Sequence, residues 1–427
     1  MRALQFIGVA VATTFGSVSL PAQSVAIVGG TVYPVSGPPI ERGTVLIRDG
    51  KIVAVGTDVT VPADVQRVDA TGRIVTPGLI NAATQIGIVE IGAVAVTREA
   101  RPRGREGIAA AYTVWEGLNP ASVMIPPARS AGITTVLIAP QGGLISGQAA
   151  MLQLVEGTAA DMVMRSPVAM VGQIGNPQGA GAGSRGELLL RLREILDDAR
   201  TYQRRRADFE RAQTRTFAAS RLDLEALAPV LDGRLPLLLD VDKASDIESA
   251  LKLARDYGVR LAISGAAEAW MVADKLAAAR VPVLTGAMNN IPQSFASLGA
   301  RQENAALLRR AGVPVIIIGN AGGGEETFNV RNVRFEAGNA VAYGMSREDA
   351  LRAITLTPAE VFGVANRIGS LQPGRDGDVV VWSGDPFEFA TQPEHVFVRG
   401  RESRTPTRQD LLEQRYKSLP PEYLRRP

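Results

Sequence analysis

Acidic side chains are the main groups in this 427-residue chain that could do chemistry, because it has no cysteine and a single histidine, His395. Several acids follow apolar runs that are typical of β-strands, which would place them at strand ends. These acids are Glu90, Asp240, Asp242, Glu268, Glu325 and Glu326. Such carboxylates could hold Mg²⁺, Mn²⁺ or Ca²⁺, or could exchange protons without a metal. The alternative for each acid is a helix cap, which we expect of Asp246, or an ion pair with arginine.

Two glycine-rich segments follow predicted strands. Residues 320–332 leave the last of these strands, and their backbone amides could bind an anion, although a flexible connection is the favoured explanation of the glycines. Residues 175–183 are a candidate lid. His395 lies beside a β-branched run and is expected to be structural.

Strand-like patterns occupy both ends of the chain. Residues 25–75 contain β-branched runs on either side of an Asp49-Gly50 turn, a strong hairpin signal, and residues 377–400 have the same character. Between them, apolar strand-like runs alternate with helical patterns, which predicts a parallel sheet. An α/β fold follows, with a (β/α)8 TIM-like barrel and a small β-sandwich domain built from both chain ends. An open doubly wound sheet is the alternative, but no Gly-x-Gly-x-x-Gly follows the first strand.

The first residues are typical of a secretory leader. Arg2 precedes a largely apolar run from Leu4 through Ala12, which is too short for the ~20 residues of a membrane-spanning helix, and cleavage is expected near Ala22. We therefore expect an exported protein, periplasmic or secreted, without a membrane span after cleavage. The predicted divisions are a signal peptide (1–22), the two parts of the β domain (23–75 and 366–403), the barrel (76–365) and a surface tail (404–427).

Charge gives no indication of nucleic-acid binding. The 46 basic residues nearly balance the 43 acidic ones, and the arginine clusters at 101–105 and 204–206 lack aromatic neighbours.

Residues 76–87 (TPGLINAATQIG) resemble the first-strand motif of the amidohydrolase superfamily, which runs Pro-Gly-Leu-Ile-Asp-Ala-His-Thr-His. Residues 119–122, 128–136 and 143–148 resemble the second strand and loop of its imidazolonepropionase-like branch. Residues 350–360 and 369–382 resemble that branch's closing pattern. The resemblance therefore runs from about residue 25 to residue 400.

The resemblance implies a zinc-dependent hydrolase whose metal-bound water attacks an amide, ester or cyclic imide. By the same resemblance, Ala83 and Gln85 stand where the histidine pair belongs, and Asp240 stands at or near a fifth-strand histidine. Asn320 takes the place of the last-strand aspartate. No lysine lies between Lys51 and Lys243 to supply a bridging carboxylate on the fourth strand, and Gln173 in the third-strand region is the nearest polar residue. Loss of the zinc-type site is the expectation, with no metal ligands and no cofactor.

Three functions stay open. The favoured one is a non-catalytic pseudoenzyme that binds a small molecule or forms an oligomer, either with itself or with an intact amidohydrolase paralogue. The second is a hydrolase of carbon–nitrogen bonds that uses Mg, Mn or no metal, and the third is a solute-binding barrel. Asp240 is the catalytic candidate, and the ligand-binding candidates are Gln85, Asn320, Glu268 and Glu325.

Overall fold

Two β-sheets organise the protein. The computed structural model describes residues 24–102, 107–176, 178–288, 292, 294–319 and 329–417. Early in the chain the strands are β1 (Val25–Val32), β2 (Ile40–Arg48), β3 (Lys51–Gly56), β4 (Gln66–Asp69) and β5 (Ile74–Pro77). In the middle they are β6 (Leu79–Thr84), β7 (Ile133–Ile138), β8 (Ile145–Gln153), β9 (Val163–Gln173), β10 (Leu237–Val241), β11 (Leu261–Gly265), β12 (Val283–Thr285) and β13 (Val315–Ile317). Near the end they are β14 (Val379–Trp382), β15 (Pro393–Val398) and β16 (Arg401–Glu402).

Strands from both chain ends form the first sheet, in the order β16-β15-β14-β5-β1-β2-β3 with β4 beside β1. β5 and β14 are antiparallel and pair Val75 with Val381. Valine and isoleucine side chains from both ends share one core with Phe397, so removal of their apolar surface from water joins the two ends. The predicted small β domain is confirmed.

The predicted hairpin is also confirmed. Asp49 and Gly50 join β2 to β3 and have φ angles of 52° and 73°. Positive φ at both central positions suits the type I′ turn, whose twist matches that of the strands.

The second sheet runs in sequence order from β6 to β13. β13 returns next to β6, which nearly closes the ring into the predicted barrel. Its interior packs side chains such as Leu137, Met151 and Leu238. The residues after Leu356 cover the N-terminal end, where Phe362 joins the interior core and the Gly363 carbonyl accepts from Arg165 at the start of β9. The C-terminal strand ends, which carry the active sites of such barrels, form what we call the barrel mouth.

One strand of the barrel contradicts the expectation of a fully parallel sheet. β8 is antiparallel to both β7 and β9. Its connection from β7 spans only residues 139–144, and a parallel crossover needs a dozen or more residues. Gly142 and Gly143, with φ of 83° and 77°, let the chain reverse there.

Helices cover the outside of the barrel, where apolar helix faces meet the outward side of the strands. They are α1 (Ile125–Ser130), α2 (Ala159–Met162), α3 (Arg185–Arg204), α4 (Arg206–Glu210), α5 (Arg221–Leu231), α6 (Ala244–Tyr257), α7 (Ala273–Ala278), α8 (Asn304–Arg310), α9 (Val333–Ala342) and α10 (Arg347–Ala353). α11 (Leu356–Val361) lies instead at the N-terminal end of the barrel, and α12 (Arg408–Tyr416) has no buried residue. Asp246 was expected to cap α6 but lies inside its first turn and pairs with Arg185 at 3.1 Å. Among the described residues, no helix has the length and apolarity to cross a bilayer.

Candidate functional site

Ala83 and Gln85 lie at the mouth end of β6. The Asn81 side chain organises this strand end, because its Oδ1 accepts from Ala83 N (3.2 Å) and its Nδ2 donates to the Val330 carbonyl (3.0 Å). Ala83 packs its methyl against the interior core. Gln85 is 8% exposed, and its Nε2 has no hydrogen-bond partner among the residues that the structure describes. A buried amide without an acceptor is costly, so a ligand carbonyl or carboxylate would be stabilised there.

On the opposite side of the ring, three polar residues align across adjacent strands. Asp240 on β10 pairs in register with Gln173 on β9 and with Ser264 on β11. Counted from β6, β10 is the fifth strand, which agrees with the position predicted for Asp240. Gln173 ends the fourth strand and not the third, because the sequence-based count missed the reversed β8. Gln173 therefore ends the strand on which the resemblance implies a bridging lysine.

Two carboxylates converge beside Gly265. A Cβ added at Gly265 would lie 2.7 Å from Asp242 Oδ1 and 3.0 Å from Asp240 Oδ1. Asp240 is exposed, whereas burial raises the pKa of Asp242 and the nearby Glu268 charge adds to the rise. A hydrogen bond from Ala267 N (3.2 Å) partly opposes this shift of the Asp242 pKa. The two acids therefore have unlike environments within one corner of the mouth.

Glu268 lies next to this corner, but backbone groups occupy its carboxylate. Its Oε2 accepts from Ala244 N at the start of α6 (3.1 Å), and its Oε1 accepts from Gly299 N (2.9 Å). The side chain is 7% exposed. This geometry gives Glu268 a structural role in joining two mouth loops, and its ligand-binding role stays a prediction.

The other candidates are not brought to this corner. Glu90 accepts from Asn119 Nδ2 (2.9 Å) and Ser122 Oγ (3.0 Å) in the segment after β6. His395 Nδ1 lies 2.6 Å from Glu402 Oε1 in the other sheet, which supports its structural interpretation. Asn320, Glu325 and Glu326 lie outside the described residues, as does most of the glycine-rich segment 320–332.

Sequence analysis missed two buried residues that fix the loops after β11 and β12. Glu336 of α9 is 2% exposed and accepts from Ala287 N (2.7 Å) and Met288 N (2.8 Å). Asn304 donates to the Ala266 carbonyl (2.9 Å) and accepts from Trp270 N (3.0 Å). The sequence signal for such a residue is a polar side chain on the apolar face of a predicted helix. Glu336, which lies between Val333 and Ala337, fits this pattern.

The side chains at these four strand ends offer hydrogen-bonding groups: the amides of Gln85 and Gln173, the carboxylate of Asp240 and the hydroxyl of Ser264. Zinc sites use imidazole, thiolate and carboxylate ligands, usually three or four together. In the described part of the chain, no three His, Cys, Asp or Glu side chains are grouped so as to hold a metal ion. The described residues at the mouth therefore do not fit a zinc ion.

Known proteins with similar sequences include an amidohydrolase and imidazolonepropionases. The sequence profile of the amidohydrolase family matches residues 250–403. The amidohydrolase tasK of Hapsidospora irregularis is 25% identical over 392 residues, which are 84% of this chain and 39% of that protein. This chain therefore spans well under half of that relative. An imidazolonepropionase of Mesorhizobium japonicum is 23% identical over 80% of this chain and 87% of its own length.

Solved structures agree with these sequence matches. An amidohydrolase from Thermotoga maritima superposes with a TM-score of 0.80 at 25% identity, over 88% of this chain and 99% of that chain. A zinc-bound adenosine deaminase from Xanthomonas campestris shares the fold at 19% identity, with a TM-score of 0.53 over 93% of this chain and 98% of that one. Together with the barrel and its companion sheet, these similarities relate the chain to the amidohydrolase superfamily.

Proposed function

We propose that this protein binds a small organic ligand at the barrel mouth and does not hydrolyse it through a zinc-type centre. It then acts as a binding or partner subunit. The observation that carries the proposal is the set of side chains at the strand ends, where Ala83 and Gln85 replace the histidine pair implied by the motif. An alanine methyl cannot ligate, and an amide is a poor ligand for zinc.

Gln85 and the Asp240 row supply the recognition chemistry. The unpaired Gln85 Nε2 would donate to a ligand carbonyl or carboxylate on one side of the ring. Across the ring, Gln173, Asp240 and Ser264 would bind hydrogen-bond donors of the same ligand. Small-molecule sites commonly combine a few convergent polar groups of this kind with apolar walls.

Metal content is the measurement that tests this proposal. The full-length protein is purified without chelator or affinity tag and analysed by plasma mass spectrometry, with a zinc-bearing superfamily member purified in parallel. We expect less than about a tenth of an ion per chain and no rise in Tm with added Zn²⁺ or Mn²⁺. A stoichiometric ion, or a clear rise in Tm, would contradict the proposal.

The acid pair beside Gly265 favours a second candidate, a hydrolase that needs no zinc. Burial raises the pKa of Asp242, so this carboxyl could donate a proton while the exposed Asp240 carboxylate accepts one. Turnover of amides, esters and cyclic imides that is lost in both D240N and D242N but kept in D246N would favour this candidate. Asp246 is the matched control because it is an aspartate whose carboxylate already pairs with Arg185 (3.1 Å).

Assembly and export are further parts of the proposal. The leader pattern at residues 1–22 supports export, and the mass of the mature chain isolated from its native host tests it. We infer an oligomer, homomeric or with an intact paralogue, from the incomplete ligand set. Light scattering of the mature chain, alone and mixed with such a paralogue, tests this assembly, and a monomer in both samples would contradict it.

A further inference from the structure

A groove of about 1040 Å³ crosses the N-terminal face of the barrel, opposite the mouth. Pro236, Arg260, Pro282 and Pro314, which precede β10, β11, β12 and β13, all line it, and α6 and α7 form its sides. Its floor is apolar and includes Pro282 and Pro314. This volume is at the upper end of the range of about 300–1,000 Å³ for small-molecule pockets, so it has room for several side chains.

Positive charge dominates the rim of this groove. Among the described residues, five basic side chains and one acidic side chain line it: Lys252, Arg255, Arg260, Lys275, Arg280 and Glu248. Lys275 pairs with Glu248, and Lys252 pairs with Asp256 at 2.5 Å. Within the described part of the chain, none of the three arginines forms a salt bridge. The rim therefore carries uncompensated positive charge above an apolar floor.

Arg280 occupies a backbone position that glycine fills in the neighbouring repeats. Three successive helix-to-strand connections have the form X-Val, with X being Gly258, Arg280 and Gly312. All three X residues adopt left-handed φ angles, of 66°, 52° and 90°. Glycine has no penalty in this region, whereas arginine is strained there. The Arg280 side chain therefore lines the groove although its backbone conformation is unfavourable. Unfavourable backbone conformations of this kind are associated with functional sites.

We propose that this groove docks an acidic segment of a partner protein that also carries apolar side chains. The charge complementarity between the rim and an acidic peptide gives selectivity and speeds association. The apolar floor adds burial that a small inorganic anion could not supply. Among the described residues that line the groove there is no aromatic ring, so they offer no stacking surface of the kind with which single-stranded nucleic acids are bound. This site is separate from the mouth, and the proposal does not depend on the proposed function.

Fluorescence anisotropy of the full-length protein tests the docking site. The probe is a labelled ten-residue peptide in which glutamate alternates with leucine. Two comparison peptides replace its glutamates with glutamine or its leucines with serine. We expect the glutamate–leucine peptide to bind best, to weaken with salt, and to lose about tenfold or more in affinity for R260E/R280E. The matched control is R48E/R408E, which changes net charge equally at exposed positions outside the groove.

Several results would overturn the proposal. One such result is that the glutamate–leucine peptide does not bind the wild-type protein, and another is that the glutamine peptide binds equally well. The third such result is that R260E/R280E and R48E/R408E lower the affinity for the glutamate–leucine peptide equally. Arg280→Gly guards against misfolding as an explanation, because glycine relieves the backbone strain. We expect this variant to have an equal or higher Tm and a several-fold lower affinity for the probe. Unchanged affinity in Arg280→Gly would also contradict the role of Arg280.

Discussion

The carboxyl of Asp378 should make the stability of this protein fall as the pH rises through about 6. Asp378 is 4% exposed and lies between the two sheets, where it accepts from Gln153 Nε2 (2.8 and 2.9 Å) and from Arg399 N (2.8 Å). Burial is the largest effect and raises its pKa from 3.8 to about 6, with the charge of Asp376 adding to the rise. The fold therefore favours the protonated form.

The sign and size of the effect follow from linkage. A carboxyl with a raised pKa contributes stability that is fully present below pH 3.8 and is lost as the pH rises through about 6. A shift of roughly two pKa units corresponds to about 3 kcal/mol in the free energy of unfolding. This group is fully buried, so solvent screening reduces the effect little.

Urea unfolding between about pH 5 and pH 8 measures this contribution in wild type and D378N. In D378N an amide Nδ2 takes the place of Oδ2 and would face the Gln153 Nε2 donor (2.8 Å), so D378N should lose stability at all pH values. The diagnostic quantity is the fall in stability between pH 5 and pH 8, which should be smaller in D378N by about 1.4 kcal/mol, because about half of the full effect develops below pH 5. D410N, at an exposed helix cap, should keep the wild-type slope. Equal slopes in wild type and D378N would refute the reasoning.

Three further substitutions test the mouth and a loop beside the small sheet. Gly265→Ala should reduce stability by about 2 kcal/mol or more, because φ is +80° and the new Cβ would meet Oδ1 of both Asp240 and Asp242. An unchanged Tm would contradict this geometry. Gln85→Leu should raise stability by roughly 1 kcal/mol, because it removes a buried amide whose Nε2 lacks a hydrogen-bond partner, and it should weaken ligand binding at the mouth. A lower Tm would mean that this amide has a hydrogen-bond partner in the folded protein. Arg334→Leu should lower the free energy of unfolding in urea by about 3 kcal/mol, because the buried guanidinium donates to the Pro386 (2.8 Å) and Thr391 (3.0 Å) carbonyls, which would lose their donor. A change within error would show that water replaces the guanidinium as the donor.

Local patterns predicted the fold where the signal was complete within a few residues. The Asp49-Gly50 turn has both positive φ values that its hairpin needs, and the strand-helix alternation from residue 237 to residue 317 gave four barrel strands in order. The direction of β8 could not be predicted in the same way. Its buried run, Ile145–Gln153, has the same composition whichever way the strand runs, and only the short connection with Gly142 and Gly143 indicates reversal.

The sequence indicated on which strands the candidate residues lie better than it indicated which groups their side chains contact. Asp240 lies on the fifth strand as the motif order required, and Gln173 moved by one strand because β8 had not been counted. Glu268 was correctly expected near a strand end, but no sequence pattern indicates that Ala244 N and Gly299 N occupy its carboxylate. Those donors come from residues 24 and 31 positions away, and such contacts form only when the barrel closes.

The barrel can change its mouth chemistry without losing its fold, because different residues perform the two tasks. Leu137, Met151 and Leu238 fill the interior, and Phe362 joins them at the covered N-terminal end. The strand-end residue Asp240 is exposed and contributes little to that core. A substitution at an exposed strand end such as Asp240 therefore changes the mouth chemistry with little loss of packing. For this reason, the similarity to amidohydrolases is evidence for the fold, and the activity must be argued from the strand-end side chains themselves.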